Sequence, residues 1–121
     1  KRQGSIVNLA SILAFRAQKA LSTYSISKAA VAQMTRTMAS ELAPYGIRVN
    51  AMAPGYIATD MNSDFLYSPR GQQMMGEVPI GRYGELGELD ECLLMLSGDR
   101  SKYLTGAVIP IDGGHSLNIR D

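Results

Sequence analysis

A tyrosine and a lysine stand four residues apart in the segment Tyr24-Ser25-Ile26-Ser27-Lys28. On a helix, this spacing places the phenol and the ammonium on the same face, where the positive charge favours the phenolate form of the tyrosine. Such a pair is suited to moving a proton to or from an oxygen atom. A chain with six tyrosines and four lysines in 121 residues contains a Tyr-x-x-x-Lys pair by chance in about one case in five. The surrounding sequence must therefore decide between chemistry and coincidence.

Three short apolar segments predict the strands that would position this pair. Residues 5–10 form a run with β-branched residues and little alternation, which is typical of a strand covered on both faces. Residues 47–53 and 107–112 are the second and third candidates. Pro110 cannot donate a hydrogen bond to a neighbouring strand, which favours an edge position for the third strand.

Residues 22–43 have a helical pattern and contain the tyrosine and the lysine. Ser22 or Thr23 is the predicted cap. The side of this helix that faces away from Tyr24 is small and weakly polar, with no charge before Arg36. We therefore expect both sides to be covered, one by the sheet and the other by another helix of this chain or of a partner subunit. The second side comprises Ile26, Ala29, Ala30, Gln33, Met34 and Thr37.

The rest of the sequence supplies the connections between the strands. Residues 11–21 predict a loop, and residues 56–84 predict an irregular segment with one short helix near 68–76. Residues 85–96 predict a helix with leucines on one face. Connections of this length between strands imply parallel βαβ units with right-handed crossovers, so the predicted class is α/β.

Composition excludes several classes of function. The chain is 45% hydrophobic and 19% charged, with a net charge of +1, which predicts no general attraction to nucleic acid or to an anionic membrane. No apolar run is long enough to cross a bilayer, and we predict no metal site. Cys92 is the only cysteine, which favours a reducing, cytoplasmic location, and its apolar context predicts a buried structural thiol.

The predicted strand ends bring the polar candidates together. In open parallel sheets, ligands bind beyond the carboxyl ends of the strands. Ser11 directly follows the first strand, and Thr59 lies beyond the end of the second. Tyr24 begins the helix that returns to the same edge, and Lys28 lies one turn later. We therefore expect these four residues to meet in one cleft.

Four segments, in this order and spacing, resemble the C-terminal half of a short-chain dehydrogenase/reductase. The resemblance runs from Gly4 to Gly114 and is highly specific because the segments occur together. It implies that residues 1–121 form the C-terminal catalytic half of a doubly wound, Rossmann-like domain, with three parallel strands and flanking helices. The segments are GSIVNLAS, with thirteen residues from Ser11 to Tyr24, then YSISKAAV, IRVNAMAPGYIATDM and LTGAVIPIDGG.

The resemblance implies catalytic roles for three residues. Tyr24 would exchange a proton with the substrate oxygen while nicotinamide exchanges a hydride at the carbon. A free phenol has a pKa of about 10, and lowering it by about three units needs on the order of 4 kcal/mol in favour of phenolate. Lys28 would supply part of this and also reach the cofactor ribose. Ser11 would donate a hydrogen bond to the substrate oxygen.

The resemblance also implies binding of NAD or NADP at the end of the second strand. Pro54 and Gly55 would line the nicotinamide side of the cleft, and glycine permits close approach of the backbone. The backbone N–H of Ile57 and the hydroxyl of Thr59 would hold the carboxamide. The catalytic tyrosine and lysine would complete the set of cofactor contacts.

The family's first half has no counterpart in the printed sequence. The chain enters an apolar run almost at once without an initiator methionine, which we interpret as a piece of a longer protein. Neither the glycine-rich turn for the pyrophosphate nor the residue that selects NAD or NADP is present, and the family's upstream catalytic asparagine is also missing. We therefore expect this polypeptide alone neither to bind nicotinamide tightly nor to turn over.

Three functions stay open at this point. The first is an oxidoreductase acting on a small-molecule alcohol or carbonyl substrate. The second is an epimerase or dehydratase of a related fold, which also uses Tyr-x-x-x-Lys. The third is a non-catalytic association module. We expect a homodimer or homotetramer that forms through the 22–43 helix and the C-terminal strand region.

Several other residues carry weaker expectations. His115, the only histidine, is expected at the surface or at a subunit contact. Asp112 is expected to accept local hydrogen bonds at a strand end. Met61, Met74 and Met75 lie where this family builds its substrate lid, and both an adaptable apolar wall and ordinary packing stay open for them.

Overall fold

Strands and helices alternate through residues 3–117, the part of the chain that the computed structural model describes. Short 3₁₀ turns join several of them. In chain order, the elements are β1 (Gly4–Leu9), α1 (Ser22–Leu42), β2 (Ile47–Pro54), β3 (Ile57–Ala58), α2 (Ser63–Leu66), α3 (Pro69–Met75), β4 (Gly84–Glu85), α4 (Asp90–Ser97) and β5 (Val108–Ile111).

The main sheet consists of three parallel strands in the order β1–β2–β5. Its register pairs Gly4 with Ile47 in β1 and β2, and Ala51 with Val108 in β2 and β5. The α/β class with parallel strands and flanking helices is therefore confirmed. Within the described residues β5 is an edge strand, which is where Pro110 was expected.

Helix α1 packs on the sheet through small residues. Its buried positions are Ala32, Thr35 and Ala39. The hydroxyl of Thr35 donates to the carbonyl of Val31 at 2.8 Å and accepts from the amide of Asn8 in β1 at 3.0 Å. These contacts fix the helix over the strand, and so they fix the position of the tyrosine at its first turn.

Two expectations about α1 are not met. No side chain caps its start, because the N-cap position is occupied by Leu21, whose side chain has no hydrogen-bonding atom. All six residues on the side away from the sheet are exposed in the described chain, so no helix of residues 3–117 covers them. Contact with a partner subunit stays a prediction for this side.

The side chain of Asn50 joins β2 to the segment that leads into β5. Asn50 is completely buried. Its amide nitrogen donates to the carbonyl of Leu104 at 3.0 Å, and its carbonyl accepts from the backbone N–H of Ala107 at 3.0 Å. The side chain thus provides two hydrogen bonds for backbone groups that lie beyond the regular ladder.

Replacing Asn50 with alanine is expected to lower the free energy of unfolding by about 1–3 kcal/mol, because it removes two hydrogen bonds between a completely buried side chain and the backbone. Urea-induced unfolding measures this change. Gln33→Ala, at an exposed position on α1, is the matched control and should change the free energy of unfolding by less than about 0.5 kcal/mol. Equal effects of the two substitutions would contradict this role for Asn50.

The segment between β2 and α4 contains more structure than the sequence predicts. The predicted helix near 68–76 corresponds to α3, where the hydroxyl of Ser68 accepts from the N–H of Gly71 and Pro69 is the first helical residue. Helix α2 and the parallel pair β3–β4 were not predicted. They are too short, at four and two residues, to produce a periodic pattern.

Candidate active site

A cleft of about 330 Å³ lies at the carboxyl edge of the main sheet. We call it the strand-end cleft. Among the predicted site residues it brings together Ser11, Tyr24, Gly55 and Ile57. Lys28 and Thr59, which were expected in the same cleft, are not among its walls. Its walls are Ser11, Ile12, Leu13, Leu21, Tyr24, Gly55, Tyr56, Ile57 and Asn62.

Ser11 is held in the cleft wall by a short turn. The residue follows β1 and caps a 3₁₀ helix over Ile12–Ala14, a helix that the sequence did not predict. The oxygen of Ser11 accepts from the N–H of Leu13 at 3.1 Å, and the side chain is largely buried. Because a hydroxyl both accepts and donates, its proton is still available for an oxygen atom bound in the cleft.

Tyr24 and Lys28 lie next to each other on the first turns of α1. The side chain of Tyr24 is 45% exposed, and it lines the cleft. The ammonium of Lys28 lies 5.6 Å from the centroid of the Tyr24 ring. It donates to the carbonyl of Leu9, the last residue of β1, at 3.1 Å. Lys28 therefore sits behind the tyrosine, and it is not among the residues that form the cleft wall.

Gly55 forms part of the cleft where β2 and β5 end. Its N–H donates to the carbonyl of Ile111 at 3.0 Å. A Cβ atom at this position would lie 2.7 Å from the Cβ of Asp112. Pro54 is the last residue of β2 and is not part of the cleft wall. Gly55 therefore packs against Asp112 where no side chain would fit, and its backbone alone lines the cleft.

Asn62 fixes the loop that carries Ile57 and Thr59. Its side-chain carbonyl accepts from the N–H of Thr59 at 2.8 Å, and its amide donates to the carbonyl of Ile57 at 2.8 Å. Ile57 lines the cleft, whereas Thr59 does not. Sequence reasoning missed Asn62, although an asparagine three residues after a threonine in a polar turn is a recognisable signal.

Tyr56 is a second cleft residue that the sequence analysis missed. Its hydroxyl lies 2.5 Å from the side-chain oxygen of Gln18, to which it donates. Its ring packs against His115 and Tyr83, with centroids 5.7 and 6.2 Å away. Burial raises the pKa of Tyr56 above its ordinary value. The partners of Tyr56 are distant in sequence, so no local pattern indicates this cluster.

His115 is buried within the chain, so its predicted surface position was wrong. Only 1% of the residue is exposed. Its Nε2 atom lies 2.8 Å from a guanidinium nitrogen of Arg16 and 3.5 Å from a carboxylate oxygen of Glu77. Burial, followed by the charge of Arg16, lowers the pKa of His115. The neutral ring therefore accepts a hydrogen bond from the guanidinium.

The turn after β5 brings His115 inward. The carboxylate of Asp112 accepts from the N–H groups of Gly114 at 2.9 Å and Ser116 at 2.7 Å, so its predicted local hydrogen bonding is confirmed. Gly113 and Gly114 both adopt positive φ values, 64° and 88°. This backbone conformation favours glycine, and it reverses the chain towards the sheet.

The methionines and the cysteine for which the sequence carried expectations lie outside the strand-end cleft. Met61 is fully exposed and Met74 is partly buried. Cys92 is partly exposed rather than fully buried, which corrects the expected buried thiol. Partial burial raises the pKa of the Cys92 thiol, so the group is not an activated nucleophile.

Residues 3–117 contain neither a candidate metal centre nor a membrane-spanning helix. No group of three or more histidine, cysteine, aspartate or glutamate side chains there could hold a metal ion. None of the helices in the same residues is both long enough and apolar enough to cross a bilayer.

The sequence matches known oxidoreductases. A family profile described as enoyl-(acyl carrier protein) reductase matches residues 1–116. The chain is 43% identical over 114 residues to the 3-oxoacyl-(acyl-carrier-protein) reductase FabG of Thermotoga maritima. This match covers 94% of the chain and 46% of the relative. The chain thus spans about half the length of the curated relatives it matches.

Solved structures extend the match to the fold. A gluconate 5-dehydrogenase from Burkholderia cenocepacia, in complex with NADP and tartrate, superimposes with a TM-score of 0.92 at 28% identity, covering 98% of this chain and 47% of that one. A short-chain type dehydrogenase/reductase from Mycobacterium ulcerans gives 0.92 at 31% identity, covering 96% and 42%. Profile, sequence and fold agree, and the chain belongs to the short-chain dehydrogenase/reductase family.

Proposed function

We propose that the protein interconverts a carbonyl group and a secondary alcohol with NAD or NADP, and that Tyr24 is the general acid and base. The observation that carries this proposal is geometric. Ser11 and Tyr24 line one cleft at the strand ends, and the ammonium of Lys28 lies 5.6 Å from the tyrosine ring. The relatives described above are named as reductases and dehydrogenases, which favours oxidoreduction over the epimerase or dehydratase alternative.

The residues of the cleft fit a nicotinamide cofactor. Gly55 lines the cleft with its backbone alone, which permits close approach of a ligand. We assign the ammonium of Lys28, which lies 5.6 Å from the Tyr24 ring, to a ribose hydroxyl. We assign the carboxamide contacts to the N–H of Ile57 and the hydroxyl of Thr59, with Pro54 beside them. When bound, nicotinamide gives or accepts the hydride at the substrate carbon. The Burkholderia cenocepacia enzyme is in complex with NADP, which supports a nicotinamide cofactor for this family.

In the direction of reduction, the phenol of Tyr24 donates its proton to the substrate oxygen as negative charge develops there. Ser11 donates a hydrogen bond to the same oxygen and holds it near the phenol. The positive charge of Lys28 stabilises the phenolate that results. In the direction of oxidation, the phenolate accepts the proton of the alcohol. The phenolic oxygen of Tyr24 therefore acts as the acid in one direction and as the base in the other.

We further propose that residues 1–121 form the C-terminal half of one nicotinamide-binding domain. The match to the Thermotoga maritima relative, which covers 94% of this chain but 46% of that protein, supports this. A polypeptide of residues 1–121 is therefore expected to show no saturable binding of NADH or NADPH. Fluorescence titration measures the binding and absorbance of the reduced nicotinamide measures turnover. The full-length protein that contains this chain is the positive control, and turnover by the shorter polypeptide would refute the division.

We also retain the proposal that copies of the protein associate through α1 and the C-terminal strand region. The side of α1 away from the sheet exposes Ile26 at 70% and Met34 at 44%. Apolar residues at this level of exposure are favourable contacts for another subunit. This association accompanies the oxidoreductase function and does not replace it.

A further inference from the structure

A second cavity, of about 700 Å³, lies beside the strand-end cleft. The two share Leu21 and Tyr56 as walls, so they adjoin each other. The residues of this cavity come from the loop after β1 and from α2 and α3. We call it the cationic cavity, because three of its walls are Arg16, Lys19 and Arg70.

One of these cations is already paired. The guanidinium of Arg16 lies 3.2 Å from the carboxylate of Glu77, the one acidic residue of the cavity wall. Arg16 also donates to the ring of His115. Partial burial acts to raise the pKa of Glu77, but the hydrogen bond and the charge of Arg16 outweigh it and lower that pKa. The charges of Arg16 and Glu77 therefore offset each other within the cavity wall.

The other two cations have no partner within the described residues. Lys19 and Arg70 are exposed, and neither makes a hydrogen bond or ion pair with any residue in the described range 3–117. They come from separate segments, one before α1 and one in α3, yet they face the same cavity. Because Glu77 is neutralised by Arg16, the cavity has an excess of two positive charges. Walls of one charge sign concentrate ligands of the opposite sign.

We propose that the cationic cavity binds the carboxylate of a small hydroxy or oxo acid, which makes the substrate of this enzyme an organic acid. This inference rests on the proposed function, because it assumes that the reacting carbon lies at Tyr24. The planar guanidinium of Arg70 can bind a carboxylate with two parallel hydrogen bonds, and the ammonium of Lys19 adds a mobile charge.

Polar groups between the two cations and the cleft suit the rest of such a molecule. Gln73 lines the cavity, and so does Gln18, whose side chain accepts from the hydroxyl of Tyr56. Amide side chains donate and accept, so they can bind the hydroxyl groups of a polyhydroxy acid. The competing occupant is the phosphate of a pantetheine thioester, which carries the same sign of charge on a much longer molecule.

The test compares acids with neutral molecules of the same shape, using the full-length protein. Each hydroxy acid of a panel is paired with the polyol in which CH₂OH replaces the carboxylate, for example D-gluconate with D-glucitol. Turnover is followed through the nicotinamide. Calorimetry in the presence of oxidised cofactor measures binding of acids that do not react. We expect at least about tenfold preference for the acids, equivalent to one Arg–carboxylate contact.

Two substitutions test whether the preference for acids depends on the cations of the cavity. Arg70→Gln and Lys19→Gln are each expected to raise the KM of the preferred acid about tenfold with little change in kcat, and to leave the KM of its polyol unchanged. Arg70→Lys should retain part of the affinity. Arg100→Gln removes an exposed cation outside the cavity and is the matched control. Added salt should raise the KM of the acid and not that of the polyol.

Three results would overturn this inference. The first is equal binding of acids and polyols, and the second is an equal effect of the substitutions on both. The third is turnover of pantetheine thioesters with no binding of any acid. In each case, Tyr24-dependent reduction of a neutral ketone or thioester would leave the proposed function intact. Loss of hydride transfer with every acid, alcohol and ketone would instead count against the proposed function itself.

Discussion

Replacing Tyr24 with phenylalanine in the full-length enzyme is expected to lower kcat by about 100- to 10,000-fold, the usual contribution of a positioned acid or base. Phenylalanine keeps the ring, which lies 5.6 Å from the ammonium of Lys28, but it has no proton to exchange. Steady-state turnover of any accepted carbonyl or alcohol measures the change. A non-catalytic association module would keep its function after this substitution.

The structure makes this substitution a clean test, because the hydroxyl of Tyr24 makes no hydrogen bond to any described residue. Its removal should therefore leave the urea midpoint unchanged, so that a fall in kcat reports lost proton transfer and not lost stability. Tyr103→Phe, at a fully exposed position, is the matched control and should leave kcat unchanged. A Tyr24→Phe enzyme with nearly normal kcat would eliminate Tyr24 as the acid and base.

The elements of the fold were predictable where a periodic pattern was long enough. The segment 22–43 agrees closely with α1, which has 21 residues and ends at Leu42, because a segment of this length gives a clear helical repeat. The three strands of the sheet also lie where expected. By contrast, α2 has four residues, and its position depends on burial of Leu66 rather than on any repeat.

The same contrast holds for the site. Strand-end topology was sufficient to predict that Ser11 and Tyr24 would share a cleft, since both directly adjoin elements whose direction is fixed by the parallel sheet. The cluster of Arg16, Glu77 and His115 could not be predicted. Its members lie 38 to 99 residues apart in the chain, and a lone histidine or an isolated Arg–Glu pair has no sequence signature.

Gly55 has a structural reason to be glycine besides its predicted contact with a cofactor. From the sequence, we predicted that this glycine permits close approach of a cofactor. The structure adds a constraint within the protein, because a Cβ atom at Gly55 would lie 2.7 Å from the Cβ and 3.0 Å from the Cα of Asp112. The end of β2 therefore approaches the end of β5 more closely than any side chain allows.

Replacing Gly55 with alanine is consequently expected to destabilise the full-length protein by about 1–3 kcal/mol, which is typical of an overpacked site, and to lower kcat/KM at least about tenfold. Asp112 cannot move away without losing hydrogen bonds, because its carboxylate accepts from the N–H groups of Gly114 and Ser116. The strand ends must separate instead, which moves the cleft wall that faces Tyr24. Urea unfolding and steady-state kinetics measure the two effects.

Gly87→Ala is the matched control, because the nearest atom to an added Cβ there is 4.0 Å away. It should change neither the unfolding free energy by more than about 0.5 kcal/mol nor the kinetics. If Gly55→Ala lowered kcat/KM without loss of stability, the glycine would be required by the ligand alone. Loss of both together indicates that the spacing of the strand ends, set by the packing of Gly55 against Asp112, also sets the shape of the cleft in which Tyr24 transfers its proton.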